Sequence, residues 1–190
     1  MADIKSLFLN NVAQVVGSPS ALAIDRAEGN YLYDPEGKAY LDFISGISVA
    51  NLGHGHPSVV ESVLEQVKKH MHVMVYGEFA IGPQAKLAEK TLEKLHPCMD
   101  RVYFVNSGTE AIEASMKIAK KYTGRSQFIS FKNSYHGSTH GSLSIQGSDK
   151  YKGGYYPLLP DTMQANFNDF AVLKQITSKT AGVVIECIQA

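Results

Sequence analysis

A hydroxyl-rich corner between a strand-like and a helix-like segment carries the strongest chemical signal in the sequence. Residues 105–111 read VNSGTEA. Ser107 and Thr109 offer hydroxyls, and Gly108 lets the backbone approach a ligand closely. The free N–H groups and the dipole of a helix N-terminus attract anions. The corner therefore predicts a phosphate site.

The same residues also fit a purely structural role. Ser107 and Glu110 have the S-x-x-E spacing of a capping box, which stabilises a helix start by about 1 kcal/mol. No Gly-Lys-Ser/Thr follows, so the segment is not a nucleotide P-loop, and it lacks the G-x-G-x-x-G pattern of dinucleotide-binding folds. Taken alone, the segment leaves the capping and phosphate-binding roles open.

A loop punctuated by glycines follows the next strand-like segment. Residues 133–141 read NSYHGSTHG. The ring of Tyr135 could stack on a planar heteroaromatic group, or it could pack over the edge of the sheet. The carboxyl ends of neighbouring parallel strands share one ligand-binding edge. Together with the phosphate corner, Tyr135 therefore predicts a site for a ring that carries a phosphate.

Two other polar patterns are less specific. Glu186 ends an apolar strand-like segment, where an acid either faces the same crevice or lies in a solvated turn. His54 with His56, and His70 with His72, have the His-x-His spacing that can present two imidazoles to a metal. No Asp, Glu or Cys ligands cluster beside them in the sequence. We therefore predict no metal site, and hydrogen-bonding roles for His54 and His56 in a glycine-rich turn.

The sequence that precedes this site predicts a helix followed by a small antiparallel meander. Apolar residues at helical spacing predict a helix over residues 4–16. Segments with the composition of β-strands follow at residues 21–25, 30–34 and 38–43. Between the last two strands, Asp-Pro-Glu-Gly at 34–37 has the composition of a tight hairpin turn.

The remaining sequence alternates between strands and helices, which indicates an α/β fold with a mostly parallel sheet. Three readable strands would leave sheet edges uncovered, so we expect the sequence to be the front part of a larger domain. The predicted elements are helices from Pro57 and over 83–95, 107–122 and 168–178, strands at 101–105, 127–131 and 181–186, and a long polar loop after 131.

Composition excludes several classes of function. The chain has 18 Lys and Arg residues and 18 Asp and Glu residues, so it has no net charge that would attract nucleic acid or an anionic membrane. No apolar run reaches the roughly 20 residues that cross a bilayer. The start lacks the basic region of a secretory leader. Cys98 and Cys187 are far apart and have no His at ligand spacing, which argues against a disulfide framework or a thiolate zinc site. A cytoplasmic protein is expected.

Five segments, in order, resemble the class III aminotransferases, pyridoxal-phosphate enzymes of fold type I. The resemblance covers nearly the whole chain and implies a three-layer α/β/α fold with a mostly parallel sheet, pyridoxal 5'-phosphate as cofactor, and a homodimer with shared sites. The segments are 31–47 (YLYDPEGKAYLDFISGI), 51–57 (NLGHGHP), 104–111 (FVNSGTEA), 135–137 (YHG) and 184–189 (VIECIQ).

The resemblance also implies roles and domains. It places residues 1–50 in a smaller α+β domain and residues 51–190 in the first half of the large cofactor-binding domain. The implied site residues fall into a cofactor group and a substrate group. Ser107, Gly108 and Thr109 would bind the cofactor phosphate, Tyr135 would stack on the pyridine ring, His136 would support that loop, Glu186 would lie beside the cofactor, and Ile47, Tyr76 and Ser138 would face the substrate.

Two departures from the family pattern matter. The Schiff-base lysine and the aspartate that pairs with the pyridine nitrogen are expected beyond residue 190. Lys117, Lys120 and Lys121 cannot replace that lysine, because they lie on the helix after the phosphate corner. We therefore expect the 190-residue chain alone to lack its nucleophile and to be inactive. Acetylornithine and ornithine aminotransferases have a carboxylate-binding arginine where this sequence has Ser138, which leaves the substrate open.

The implied reaction is a transamination. An amino group would move from an amino acid or an ω-amino donor to a 2-oxo acid, by a ping-pong route through pyridoxamine phosphate. Two alternatives stay open. One is an aminomutase, racemase or decarboxylase on the same scaffold. The other is a catalytically silent protein, if the natural chain ends at residue 190.

Overall fold

The computed structural model describes residues 3–74 and 77–189, which form two compact units. The first unit extends to residue 80 and the second begins at residue 81. The domain boundary expected after residue 50 stays a prediction.

The first helix is shorter than its apolar pattern predicts. Helix α1 spans Ile4–Asn11, not 4–16, and Asp3 caps its start by accepting the Ser6 N–H at 3.3 Å. Val12 is already extended. The side-chain amide of Gln14 donates to the Phe8 carbonyl at 3.2 Å. The same carbonyl accepts the Val12 N–H at 3.1 Å, which is the last regular hydrogen bond of the helix before the backbone becomes extended at Val12.

A three-stranded antiparallel meander follows, in the order β1 (Arg26–Glu28), β2 (Tyr31–Tyr33) and β3 (Ala39–Leu41). The predicted hairpin turn is confirmed, since the Gly37 N–H donates to the Asp34 carbonyl at 2.9 Å. The predicted strand at 21–25 is wrong. The ladder begins at Arg26, opposite Tyr33, because β2 ends there and its chain turns away.

The first unit ends in two helical segments. α2 (Ser45–Ser48) is a short turn with left-handed backbone, including Ile47 at φ 63°. α3 (Pro57–Lys69) begins with proline at its first turn, as predicted. His54 Nε2–H donates to Asp42 Oδ2 at 2.7 Å, which confirms a hydrogen-bonding role for that histidine. Within residues 3–74 and 77–189, no group of three His, Cys, Asp or Glu side chains could hold a metal.

The second unit is built on a three-stranded parallel sheet of β4 (Gln127–Phe131), β5 (Thr162–Ala165) and β6 (Thr180–Val183), in the order β5-β4-β6. The parallel sheet predicted from the sequence is therefore confirmed. No helix in the described part of the chain is long and apolar enough to cross a membrane. The elements are α4 (Gly82–Leu92), α5 (Gly108–Thr123), β4 (Gln127–Phe131), α6 (His140–Ser144), β5 (Thr162–Ala165) and β6 (Thr180–Val183), with 3-10 turns at Asp149–Tyr151 and Phe170–Gln175.

Side chains alternate across the central strand β4 and form a core on each face of the sheet. Phe128 packs with Met116 of α5 and with Ile145. Ile129 and Phe131 point to the other face, where they pack with Ala165 and other residues. This alternation follows from the period of two in a β-strand. The sheet is thus buried on both faces, as parallel sheets require.

Three sequence-based assignments in the second unit need correction. Residues 101–105 form no strand, because no ladder in the described part of the chain includes them. The helix predicted near 168–178 is a 3-10 segment, Phe170–Gln175, which ends where Ile176 becomes extended. The long polar loop contains α6 and β5. The sequence does not predict β5, because the alternation of polar and apolar side chains in its four residues, TMQA, is too short to indicate a strand.

Candidate functional site

The start of α5 combines a helix cap with exposed backbone donors. Ser107 Oγ accepts the Glu110 N–H at 3.3 Å, and Glu110 Oε2 accepts the Asn106 N–H at 2.6 Å. The N–H groups of Gly108 and Thr109 have no acceptor among the described residues. A Cβ placed on Gly108 would meet no described atom within 4 Å. The capping role is confirmed, and it leaves two donors and open space for an anion.

The loop after β4 carries Tyr135. Its backbone N–H donates to Glu186 Oε1 at 3.2 Å, so the structure brings these two predicted site residues together. The phenol oxygen lies 3.2 Å from Ser138 Oγ. The ring makes an edge contact with Tyr151, at 6.5 Å between centroids. It is nevertheless 60% exposed, so most of its surface is available to a ligand.

The Tyr135 loop and the start of α5 touch each other. Gly137 has φ 121° and lies against Thr109, so that a Cβ there would overlap the Thr109 side chain. Thr109 Oγ1 lies 2.7 Å from Thr139 Oγ1 and 2.7 Å from Ser142 Oγ. The predicted phosphate corner and the predicted ring-stacking loop are therefore one continuous surface.

Glu113 also belongs to this surface, although the sequence did not single it out as a site residue. Its Oε1 accepts the Thr139 hydroxyl at 2.5 Å and the Ser142 N–H at 3.0 Å. Gly141 lies directly against this carboxylate, so a Cβ at position 141 would displace the Glu113 side chain from its present place. The signal for Glu113 was its i,i+4 spacing from Thr109, which places both on one helix face.

His136 is a buried residue of the same loop. The residue is only 7% exposed, and its Nε2 has no hydrogen-bond partner among the described residues. Burial lowers the pKa of His136 because it disfavours the charged imidazole, and the nearby Glu186 carboxylate partly opposes that shift. The neutral ring is therefore the favoured form in the folded protein.

Two predicted substrate-side residues are not among the described residues of the second unit. Ile47 belongs to the first unit, where it is 84% exposed, and its role stays a prediction. Tyr76 lies outside the described residues. Ser138 does lie on the surface, at the rim of the Tyr135 ring.

Comparison with known protein families shows to which family this chain belongs. The model of the family "Aminotransferase class-III" matches residues 12–190. The chain belongs to the class III aminotransferases. This membership confirms the resemblance that the five sequence segments indicate.

Individual class III aminotransferases give the extent of the match. An acetylornithine aminotransferase of Aquifex aeolicus is 47% identical over 171 residues, which cover 86% of this chain and 44% of the relative. A solved adenosylmethionine-8-amino-7-oxononanoate aminotransferase of Methanocaldococcus jannaschii is 28% identical with TM-score 0.87, over 95% of this chain and 45% of that one. The chain thus spans less than half the length of these two relatives.

A third comparison includes a bound cofactor. The solved taurine:2-oxoglutarate aminotransferase of Bifidobacterium kashiwanohense, in complex with PLP and glutamate, is 26% identical to this chain with TM-score 0.83. The match covers 97% of this chain and 47% of that chain. These similarities confirm the expected α/β architecture of fold type I transaminases.

Proposed function

We propose that the full-length protein is a pyridoxal-phosphate-dependent transaminase. It moves an amino group from an amino acid or an ω-amino donor to a 2-oxo acid. Membership of the class III aminotransferases supports this reaction. The observation that carries the proposal is the start of α5. There, two N–H groups without a partner among the described residues, and open space at Gly108, adjoin the loop of Tyr135.

These residues fit the phosphate of the cofactor. The N–H groups of Gly108 and Thr109 donate to its oxygens, and the positive end of the α5 dipole stabilises its charge. Ser107 Oγ already accepts the Glu110 N–H, which leaves its hydroxyl proton free to donate to the same anion. A glycine at 108 keeps the backbone accessible, since a larger side chain would fill the open space.

The Tyr135 loop fits the ring of the cofactor. The exposed phenol ring offers a flat face for offset stacking on the pyridine. Glu186 fixes the loop by accepting the Tyr135 N–H. His136, a residue of this loop, supports it as a neutral, buried imidazole. When bound, pyridoxal phosphate supplies an electron-withdrawing ring and a carbonyl on which amino groups are exchanged.

The substrate side is less defined than the cofactor side. Ser138 offers a neutral hydroxyl at the rim of the Tyr135 ring, where it holds the phenol group. Ile47 and Tyr76 are proposed to line the same side. A hydroxyl cannot form the bidentate carboxylate contact of an arginine, so recognition of a substrate carboxylate falls to other residues.

We further propose that the protein is a cytoplasmic homodimer with shared sites. The two substrates are a small amino donor and a 2-oxo acid. Sedimentation analysis of the full-length protein tests the dimer. A monomer that binds the cofactor and is fully active would contradict it.

Reconstitution of the full-length protein with pyridoxal phosphate tests the function. Acetylornithine, taurine and a simple amine are offered as donors with 2-oxoglutarate, and glutamate is measured. Glutamate formation from one of these donors, dependent on the cofactor, is expected. Conversion of a donor without any acceptor would instead indicate an aminomutase or a decarboxylase. Failure to bind pyridoxal phosphate would overturn the proposal.

A further inference from the structure

A small hydrogen-bond network joins the start of α5 to the Tyr135 loop. We call it the hydroxyl cluster, and its members are Thr109 and Glu113 of α5 with Thr139 and Ser142 of the loop and α6. The Thr139 hydroxyl donates to Glu113 Oε1 at 2.5 Å, and the Ser142 N–H donates to the same oxygen at 3.0 Å. Two positions of the loop are thus held by one carboxylate oxygen.

Counting protons shows which way the Thr109 hydroxyl points. A carboxylate only accepts hydrogen bonds, so Thr139 uses its single hydroxyl proton on Glu113. The 2.7 Å contact between Thr109 and Thr139 therefore needs the proton of Thr109. The Thr139 N–H donates back to Thr109 Oγ1 at 3.3 Å. The hydroxyl of Thr109 is committed to the loop, and only its backbone N–H remains for an anion.

The cluster fixes one end of the loop, and a second carboxylate fixes the other. Glu186 accepts the N–H of Tyr135, and Glu113 holds Thr139 and Ser142. The segment between these anchors contains Gly137, which lies directly on Thr109. The placement of the Tyr135 ring relative to the helix start therefore depends on both anchors.

We propose that Glu113 is a positioning residue for cofactor binding, which acts by holding the Tyr135 loop against the start of α5 through Thr139 and Ser142. This inference rests on the proposed function. Glu113 touches neither the phosphate donors nor the Tyr135 ring in the described contacts, so it acts through the loop. The role requires an acceptor oxygen at this position but not a negative charge.

This distinction supplies a matched control. Both hydrogen bonds end on the same oxygen of Glu113, so the single carbonyl oxygen of glutamine can accept them both. Glu113→Gln keeps the acceptor, whereas Glu113→Ala removes it from a helix that tolerates alanine well. Lys117→Ala controls for alanine substitution on α5, since Lys117 is exposed.

The experiment measures the dissociation constant of pyridoxal phosphate for the full-length protein and its variants, together with the visible circular-dichroism band of the bound cofactor. Glu113→Ala is expected to raise the constant about tenfold, the size expected when supporting hydrogen bonds are lost, and to reduce the band. Glu113→Gln and Lys117→Ala are expected to stay within about twofold of wild type. A purely structural role would lower thermal stability and leave the constant and the band unchanged.

A double-mutant cycle tests whether Glu113 acts on cofactor binding through Thr139. If Glu113 acts through Thr139, the effects of Glu113→Ala and Thr139→Val on the dissociation constant are not additive. Additive effects, or a Glu113→Gln variant as weak as Glu113→Ala, would overturn the inference. Should Glu113→Ala not fold, Thr139→Val decides by itself, and an unchanged dissociation constant would overturn the inference. Wild-type protein that binds no pyridoxal phosphate would instead refute the proposed function.

Discussion

The backbone N–H of Tyr135 donates to Oε1 of Glu186 at 3.2 Å, across 51 positions of sequence. Tyr135 follows β4 and Glu186 follows β6, and these two strands are parallel neighbours. Their carboxyl ends therefore share one edge of the sheet. This bond ties the loop that presents an aromatic ring to the segment after β6 that presents an acid.

Gly108→Val is expected to weaken binding of pyridoxal phosphate by the full-length protein at least about tenfold. The valine side chain would occupy the open space above the helix start, which the phosphate needs. Gly82→Val is the matched control, because Gly82 is the first residue of α4 and also borders open space. The dissociation constants are measured by cofactor titration. Equal affinity of the Gly108→Val variant and wild type would contradict the phosphate site.

Tyr135→Ala is expected to reduce cofactor affinity about tenfold and to leave the unfolding temperature of the cofactor-free protein nearly unchanged. The ring is 60% exposed, so its removal costs little packing. Tyr135→Phe keeps the ring and loses only the contact with Ser138, and near wild-type affinity is expected. A large fall in unfolding temperature with intact affinity would show that Tyr135 packs over the sheet edge instead.

Glu186→Gln is expected to lower the pKa of His136 further. The glutamine oxygen can still accept the Tyr135 N–H, but the carboxylate charge that favours the imidazolium is gone. NMR titration of the imidazole measures the change, and Glu89→Gln on α4 is the control. A pKa of His136 that rises or stays constant would show that Glu186 does not act on this ring.

The same shift gives a pH dependence of stability. The pKa of His136 in the folded protein lies below its ordinary value of 6.5, so the unfolded chain binds more protons between the two values. The contribution of His136 to the free energy of unfolding should fall as the pH drops below about 6.5 and become constant below the pKa of His136 in the folded protein. In Glu186→Gln this window should extend to lower pH.

Asp42→Asn probes the first unit. The hydrogen bond from His54 is the main cause that holds the pKa of Asp42 below its ordinary value of 3.8. Because the pKa of Asp42 is lower in the folded protein than in the unfolded chain, the ionised carboxylate stabilises the fold above pH 3.8. This stabilisation is lost as the pH falls below that value. Asp42→Asn should therefore remove a stabilisation at neutral pH that thermal unfolding detects. Asp100→Asn, at an exposed position, is the control. Equal stabilities of the Asp42→Asn and Asp100→Asn variants would contradict a contribution from the His54–Asp42 pair.

Local signals in the sequence determined several features of this protein. Ser107 and Glu110 define the start of α5, Pro57 the start of α3, and the Asp-Pro-Glu-Gly turn the β2–β3 hairpin. Each depends on hydrogen bonds or backbone angles within a few residues, which a sequence displays directly. Their order along the chain also indicated the class III family.

Other features depended on partners remote in the sequence, and only the tertiary structure decided them. Residues 101–105 have the composition of a strand but pair with no described strand, whereas the polar segment Thr162–Ala165 becomes β5 because it lies beside β4. Glu113 reads as an ordinary polar helix residue until the fold brings Thr139 to it, 26 positions away. Strand ladders and side-chain networks form between distant segments, so the local pattern that predicts a helix cap carries no information about them.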